Sequence, residues 1–398
     1  MTMHLGGLNA YLSKQIFSIM TRVSRRDMLR GAVLAGAALP FTSFNSVLEK
    51  WRHEEYALTP NSSNAPLVRL SHNENPYGPS EKARKAIIAA IDKGNRYPRE
   101  AMSELQLRIA EYEGVRADQI LISSGSTELL GVAGLMAGLQ KGKIITCHPT
   151  FPFLMQYASQ FAAEWVKVPL TSDHLFNLAG INEQLDGHTK MVFICNPNNP
   201  TGTELPREML EPFCDVISAR CMVYVDEAYI ELAAKGRKSS LIHLTRNNRN
   251  IIISRTFSKI YGMAGLRVGY AIAHPETIQR LSNLMMGGNI TPSVTSLAAA
   301  MASLGDEEFM EYCKKMNAQA KEMVYSKFNE WGVEYIPSST NFILYKTDRF
   351  GSIDVLSALK QQQIMIRTYV DVPGWARVSM GTLDEMKMFL NATEELLT

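Results

Sequence analysis

The sequence predicts an α/β protein: a mostly parallel sheet covered by helices, joined to a second, smaller α+β domain. Two observations predict this. Between Pro66 and residue 273, apolar runs of strand length alternate with stretches of helical period, and parallel neighbours need such crossover helices between them. Beyond residue 305 the alternation gives way to one long charged amphipathic stretch, short strands and a closing helix.

In chain order, Ser80 caps a predicted helix reaching residue 93. Strands are expected at 119–123, 143–147, 191–195, 222–226, 251–254 and 268–273, because these are short apolar runs. Helices are expected at 127–139, 152–162 and 206–218. The stretch from 306 to 331 reads as a structural connecting helix whose charges suit a solvated face. Strands near 342–345, 364–367 and 376–379 then precede the last helix. The resulting organisation is a signal region at 1–41, a linker at 42–66 containing Asn61-Ser62-Ser63-Asn64, a large domain at 96–299, and a small domain from 67–95 with 300–398. No internal repeat or extended low-complexity segment interrupts it.

Composition narrows the function. With 398 residues, 46% hydrophobic, 20% charged and a net charge of +2, the chain has material for sizeable cores and no field to recruit nucleic acid or an anionic membrane. A small-molecule partner is expected. The five cysteines, Cys147, Cys195, Cys214, Cys221 and Cys313, are odd in number, lack CxxC spacing and sit mostly in apolar runs. They read as small buried hydrophobes, with no metal site and no disulfide framework implied.

The N-terminal run Ser24-Arg25-Arg26-Asp27-Met28-Leu29-Arg30, followed by the uncharged stretch 31–41, resembles a twin-arginine export signal. That resemblance implies passage through the twin-arginine translocase, which carries folded proteins, and a periplasmic location. A basic amphipathic helix is the other reading of the run, and it would leave the protein in the cytoplasm.

In open α/β sheets, ligands bind beyond the carboxyl ends of the strands. The rule points to residues just after 123, 147, 195, 225 and 254, where the unusual residues fall. Asn196-Pro197-Asn198-Asn199-Pro200-Thr201-Gly202 is by itself a turn, yet at a strand end an asparagine amide there could bond a phenolate-like oxygen. Val223-Tyr224-Val225-Asp226 ends a buried strand in a carboxylate, which costs desolvation energy unless a cation, a helix N-terminus or a protonated pyridine nitrogen partners it. Tyr229, three residues on, could donate to a ring oxygen.

Ser254-Arg255-Thr256-Phe257-Ser258-Lys259 leads into a glycine-rich turn and Arg267. A lone lysine is ordinarily solvated. Here hydroxyls at Thr256 and Ser258 and a guanidinium suited to bidentate phosphate binding accompany it. Together they describe a phosphate ester bearing an aldehyde better than a nucleotide. Ser124-Gly125-Ser126-Thr127, at a strand-to-helix junction, adds free amides and the positive helix end, although any capped helix looks similar.

Taken in order, these segments resemble the fold-type I pyridoxal 5′-phosphate (PLP) enzymes, and among them the class I and II aminotransferases of the histidinol-phosphate aminotransferase subfamily. The likeness runs from about residue 70 to the C-terminus and includes Asn73-Glu74-Asn75-Pro76-Tyr77-Gly78-Pro79, Arg96-Tyr97-Pro98 and Ala376-Arg377-Val378-Ser379-Met380-Gly381-Thr382. It implies that Lys259 links covalently to the cofactor and then moves protons, that Asp226 pairs with the pyridine nitrogen, and that Asn199 and Tyr229 bind the ring oxygen while Phe151 stacks on the ring. Phosphate would be held around Ser126 and Thr127 and by Thr256, Ser258 and Arg267, with Tyr97 reaching the phosphate of a neighbouring subunit in a homodimer. Tyr77, Arg367 and Arg377 would bind substrate, Arg377 gripping a carboxylate. The reaction implied is transfer of an amino group from an amino donor to a 2-oxo acid, 2-oxoglutarate by analogy.

Two departures bear on the substrate. Arg99 replaces the aspartate that usually follows Tyr-Pro, and Thr368-Tyr369 follows Arg367. Histidinol phosphate is a cytoplasmic metabolite, so the export signal favours broadening the donor to an amino acid, aromatic ones included. The rival readings are a PLP-dependent decarboxylase or lyase of the threonine-phosphate decarboxylase type and a non-catalytic binding protein. A dinucleotide oxidoreductase is set aside because no GxGxxG turn follows the first strand.

Overall fold

The computed structural model describes residues 67–285 and 291–397. The twin-arginine run and the 42–66 linker lie outside them.

The strands at the centre are mostly apolar, as strands covered by helices on both faces must be. Seven of them form one sheet, β2 (Ile120–Ser123), β8 (Gly269–Ala273), β7 (Ile251–Thr256), β6 (Met222–Asp226), β5 (Thr189–Cys195), β3 (Lys143–His148) and β4 (Glu164–Pro169), in that order across the sheet. The contacts β7–β6, β6–β5, β5–β3 and β3–β4 are parallel, and β8 runs antiparallel to both its neighbours. This antiparallel insertion matters for the site. The entry of β8 lies where its neighbours exit, with Gly269 opposite both Ser123 and Thr256.

Crossover helices α3 (Ser126–Gly138), α4 (Phe153–Ser159), α5 (Leu178–Glu183) and α6 (Arg207–Ser218) connect successive strands from β2 to β6, while α1 (Glu81–Ala90) and α2 (Arg99–Glu113) precede the sheet and α7 (Pro275–Ser282) and α8 (Val294–Ser303) follow it. Ser80 caps α1 as expected, its side chain accepting from the Ala83 amide. Among the described residues, β4, α2, α5, α7 and α8 were not read from the sequence. β4 carries Glu164 and Lys167 at a sheet edge and so lacks the continuous apolar run that marks the inner strands.

After α9 (Glu307–Trp331), β9 (Tyr335–Ile336), β10 (Phe342–Lys346), β12 (Arg367–Thr368) and β13 (Trp375–Ser379) make a four-stranded antiparallel sheet, while β11 (Ile364–Met365) pairs in parallel with β1 (Val68–Arg69). The strand expected at 364–367 is therefore two strands in two sheets. α10 (Val355–Gln361) and α11 (Leu383–Glu395) complete this part.

The buried apolar residues form two main clusters, a large and a small core. Ala83 of α1 and all the buried positions of α8 that are apolar join the large core, because α1 lies along α8. Met310 and Cys313 also join it, whereas Ala320, Val324 and Phe328 join the small core with Val68 and Leu70. α9, roughly 38 Å long at 1.5 Å per residue, thus spans both cores and belongs wholly to neither. The five cysteines are free and buried.

Candidate active site

The carboxyl ends of β6 and β7 set the centre. Side chains alternate along a strand, so Ser254 and Thr256 share one face and Arg255 takes the other; Asp226 and Glu227 divide likewise. On the site face, Asp226 is only 3% exposed and accepts from the Ser254 hydroxyl at 3.0 Å. Burial pushes its carboxyl up to about 6. A buried carboxyl held there by a neutral hydroxyl and a backbone amide is suited to a cationic or protonated partner.

On the opposite face the polar residues serve the scaffold. Arg255, 1% exposed, donates to Glu227 Oε2 at 2.9 and 3.1 Å, to Glu113 Oε1 at 2.7 Å and to the Ser240 hydroxyl at 2.8 Å. Arg237 donates to the other Glu113 oxygen at 2.7 Å, and the Tyr270 hydroxyl to Oε1 at 2.5 Å. This network joins the ends of α2, β6, β7 and β8 directly behind the site. An arginine inside the run Ile251-Ile252-Ile253-Ser254-Arg255 signalled a buried partner that the sequence reading did not use.

Lys259 follows β7 by a short turn. Its amine donates to the carbonyls of His72 at 3.3 Å and Asn73 at 3.2 Å and lies 5.5 Å from the centre of the Tyr229 ring. Burial, then the charge of Arg377, lower its proton affinity to about 8. Against the ordinary value of 10.5, that raises the neutral fraction near neutral pH by roughly 300-fold. The segment supplying those carbonyls is laid on the lysine loop by two glycines: a Cβ on Gly78 would stand 2.5 Å from the Gly262 Cα, and Gly262 has φ 66°. Asn75 fastens the crossing by donating to the Ile260 carbonyl at 2.7 Å.

A hydroxyl and guanidinium cluster lies at the β8 entry. Thr256 donates to the Ser258 hydroxyl at 2.9 Å, and Arg267 donates to the same hydroxyl at 3.3 Å and to Thr127 Oγ1 at 3.5 Å. Ser126 and Thr127 open α3, whose first-turn amides have no partner within the helix. Gly125 before them has φ 78° and ψ 162°, and a Cβ there would overlap the Arg267 guanidinium. Amides, hydroxyls and one exposed guanidinium are a donor set for a phosphate. With the amine of Lys259 and the carboxyl of Asp226, they fit PLP at its phosphate, aldehyde and ring-nitrogen ends.

The remaining candidates surround this centre. Asn199 accepts from Arg377 at 2.6 Å, leaving its amide nitrogen as donor; Arg377 also donates to the Ser71 carbonyl at 2.6 Å. The Tyr229 hydroxyl accepts from Asn73 at 2.9 Å. Asn198 accepts from Thr150 at 2.7 Å, tying the asparagine turn to the segment bearing half-buried Phe151. Tyr77 and Lys259 line one recess with Glu74, Asn75, Asn317 and Asn341. Arg367 is paired directly opposite Arg377. Tyr97 stands outside this set, 77% exposed ahead of α2.

Asn73, Ser254 and Ser379 received no role from the sequence. Asn73, at φ 55°, holds Tyr229 through its amide and is itself fixed by the Ser379 hydroxyl at 2.9 Å and by Asn341 at 3.0 Å. The alternation of Ser254 with Thr256 was the available signal for Ser254. Asn73 and Ser379 are 306 residues apart, and no local pattern joins them.

The sequence profile of the family described as aminotransferase class I and II matches residues 65–392. The histidinol-phosphate aminotransferase of Brevibacillus brevis is 33% identical over 335 residues, covering 83% of this chain and 91% of that protein. That of Moorella thermoacetica is 34% identical, covering 83% and 86%. Among solved structures, histidinol-phosphate aminotransferase from Sinorhizobium meliloti in complex with pyridoxal-5′-phosphate superposes with a TM-score of 0.76 at 25% identity, covering 83% of this chain and 91% of that one.

Proposed function

Because the chain belongs to the class I and II aminotransferases and is a PLP-dependent aminotransferase, we propose that Lys259 anchors the cofactor and moves the proton as an amino group passes from donor to 2-oxo acid. The observation carrying this is the convergence of one amine of lowered proton affinity, one buried carboxyl and one phosphate-type donor cluster. When bound, the cofactor supplies an aldehyde that links to amines and a ring that withdraws electrons. Asp226 holds a proton at the ring nitrogen. Asn199 and Tyr229 bind the ring oxygen, and Phe151 lies against the ring. The Ser126 and Thr127 amides, Thr256, Ser258 and Arg267 take the phosphate. Lys259 Nζ, with an affinity near 8, can release and recover a proton close to neutral pH.

The donor is an amino acid or related amine carrying an anionic group for Arg377, with Tyr77 and Arg367 lining its remainder. The family's relatives act on histidinol phosphate by name, and the same arginine suits a carboxylate or a phosphate. The enzyme acts as a homodimer in which Tyr97 serves the neighbouring site. Its exposure of 77%, with Ile88, Ile91 and Leu107 of the neighbouring sequence also exposed, supports this reading. The Arg25-Arg26 run supports export by the twin-arginine translocase to the periplasm. Fractionating cells that express the intact chain, or one with both arginines changed to lysine, tests this location.

Incubating purified enzyme with PLP, candidate amino donors including histidinol phosphate, and 2-oxoglutarate tests the reaction. Donor-dependent glutamate with an equivalent oxo product is expected. Carbon dioxide without glutamate would instead mark a decarboxylase.

A further inference from the structure

Arg367 and Arg377 face each other across the antiparallel pair β12–β13, so their side chains leave the same face of the sheet. Like charges in directly opposed positions repel. The hydrogen bonds of Arg377 go to neutral acceptors, the Asn199 amide oxygen and the Ser71 carbonyl, and its Nε is buried with no hydrogen-bond partner. Tyr369 lies beside both guanidinium groups, its ring centre 5.9 Å from Cζ of Arg367 and 5.6 Å from Cζ of Arg377. Its hydroxyl is likewise buried without a hydrogen-bond partner. Two unmatched donors, one charged and one neutral, therefore stand together on the small-domain side of the site.

We propose that the Tyr369 hydroxyl is a second donor, beside Arg377, to the anionic group of the substrate. The inference rests on the aminotransferase reading and adds a residue to it. A buried hydroxyl left unpaired is costly to the fold, and an oxyanion against Arg377 offers lone pairs to both donors. Burial raises the proton affinity of the phenol, against the pull of the two arginines, so it remains an O–H donor at neutral pH. The loop beyond Tyr369 is tethered to the large domain by Asp371, 3.4 Å from His148 at the end of β3, and by Trp375, whose ring meets His174 edge-on at 5.5 Å. The ring is thus set in place before any ligand arrives, which lowers the ordering cost of binding. A carboxylate and a phosphate monoester share the required chemistry.

Tyr369→Phe keeps the ring over both arginines and removes only the hydroxyl. In the full-length holoenzyme, calorimetry should measure binding of succinate and of glycerol phosphate, and kinetics should measure KM and kcat for the best donor. Binding of at least one probe should weaken roughly 10- to 150-fold, the weight of a hydrogen bond to a charged group. KM should rise similarly with kcat within about twofold, the mark of lost uniform binding, while cofactor affinity and absorbance stay unchanged. Loss for succinate alone assigns a carboxylate, loss for glycerol phosphate alone a phosphate, and loss for both the shared oxyanion chemistry. Unchanged binding of both probes in Tyr369→Phe, with weakening in Arg377→Lys, overturns the role of Tyr369 and leaves the aminotransferase reading standing. So does wild-type holoenzyme that turns over but binds neither probe. Absence of wild-type turnover with every donor strikes the aminotransferase reading itself.

Discussion

Gly125→Ala strikes the cofactor site at a point where the structure separates two costs. The native backbone there, φ 78° and ψ 162°, is a region nearly confined to glycine, and holding alanine in it costs about 1–3 kcal/mol. That cost falls on the fold. The added Cβ would also overlap Nη2 of Arg267 and stand 2.8 Å from its Cζ. The guanidinium is the flexible partner, so it moves off Ser258 and Thr127 and away from the phosphate. Losing a hydrogen bond to a charged group costs about 1.5–3 kcal/mol, or roughly 10- to 150-fold in Kd. Titrating apoenzyme with PLP by absorbance measures the second cost, and denaturant unfolding of the apoenzyme measures the first. Arg267→Ala should weaken the cofactor by a similar factor, and the double variant should bind within about threefold of Arg267→Ala alone, because both changes act through one guanidinium. Full additivity, or wild-type affinity in Gly125→Ala, would refute the argument.

Two further outcomes follow from buried charge. Capture of PLP by apoenzyme requires a neutral amine, so its rate should rise with pH through a midpoint near 8, where burial and Arg377 set Lys259, and level off above it; a midpoint near 10.5 would mean the amine is not held as described. Arg255→Met leaves Glu113 and Glu227 buried without their shared partner and should lower unfolding free energy at neutral pH by about 3–5 kcal/mol. Against burial, Arg255 and Arg237 hold Glu113 below the usual carboxylate range. A depressed acid contributes stability above its unfolded-state pKa and loses it as pH falls through its folded one, so the gap from wild type should narrow in acid. A gap that persists unchanged would assign the loss to packing.

The inner strands and the lysine segment were legible because they are local. Apolar runs such as Met191 to Cys195 can only be buried strands or short helix segments, and some of them end in, or run directly into, residues out of place for a core. Asp226, Lys259 and Arg267 were visible as such exceptions. The C-terminal part was less legible, since Ile364 to Arg367 reads as one strand and only its pairing with β1 on one side and β13 on the other divides it. The 307–331 helix carries one amphipathic pattern from end to end although its buried residues divide between two cores, so no local signal in the sequence marks that division. Asn73 and Tyr369 were opaque for another reason: their meaning lies in partners hundreds of residues away or across a sheet, such as Tyr229 for the first and Arg377 for the second.

One amine among the lysines of this chain, Lys259 Nζ, is the proposed anchor of the cofactor. Reducing PLP-loaded enzyme with borohydride and mapping the modified peptide by mass spectrometry tests it directly. A single pyridoxyl adduct on Lys259 is expected, absent from Lys259→Ala together with the visible absorbance band. An adduct on another lysine in the wild-type enzyme, or an intact band in Lys259→Ala, would contradict it.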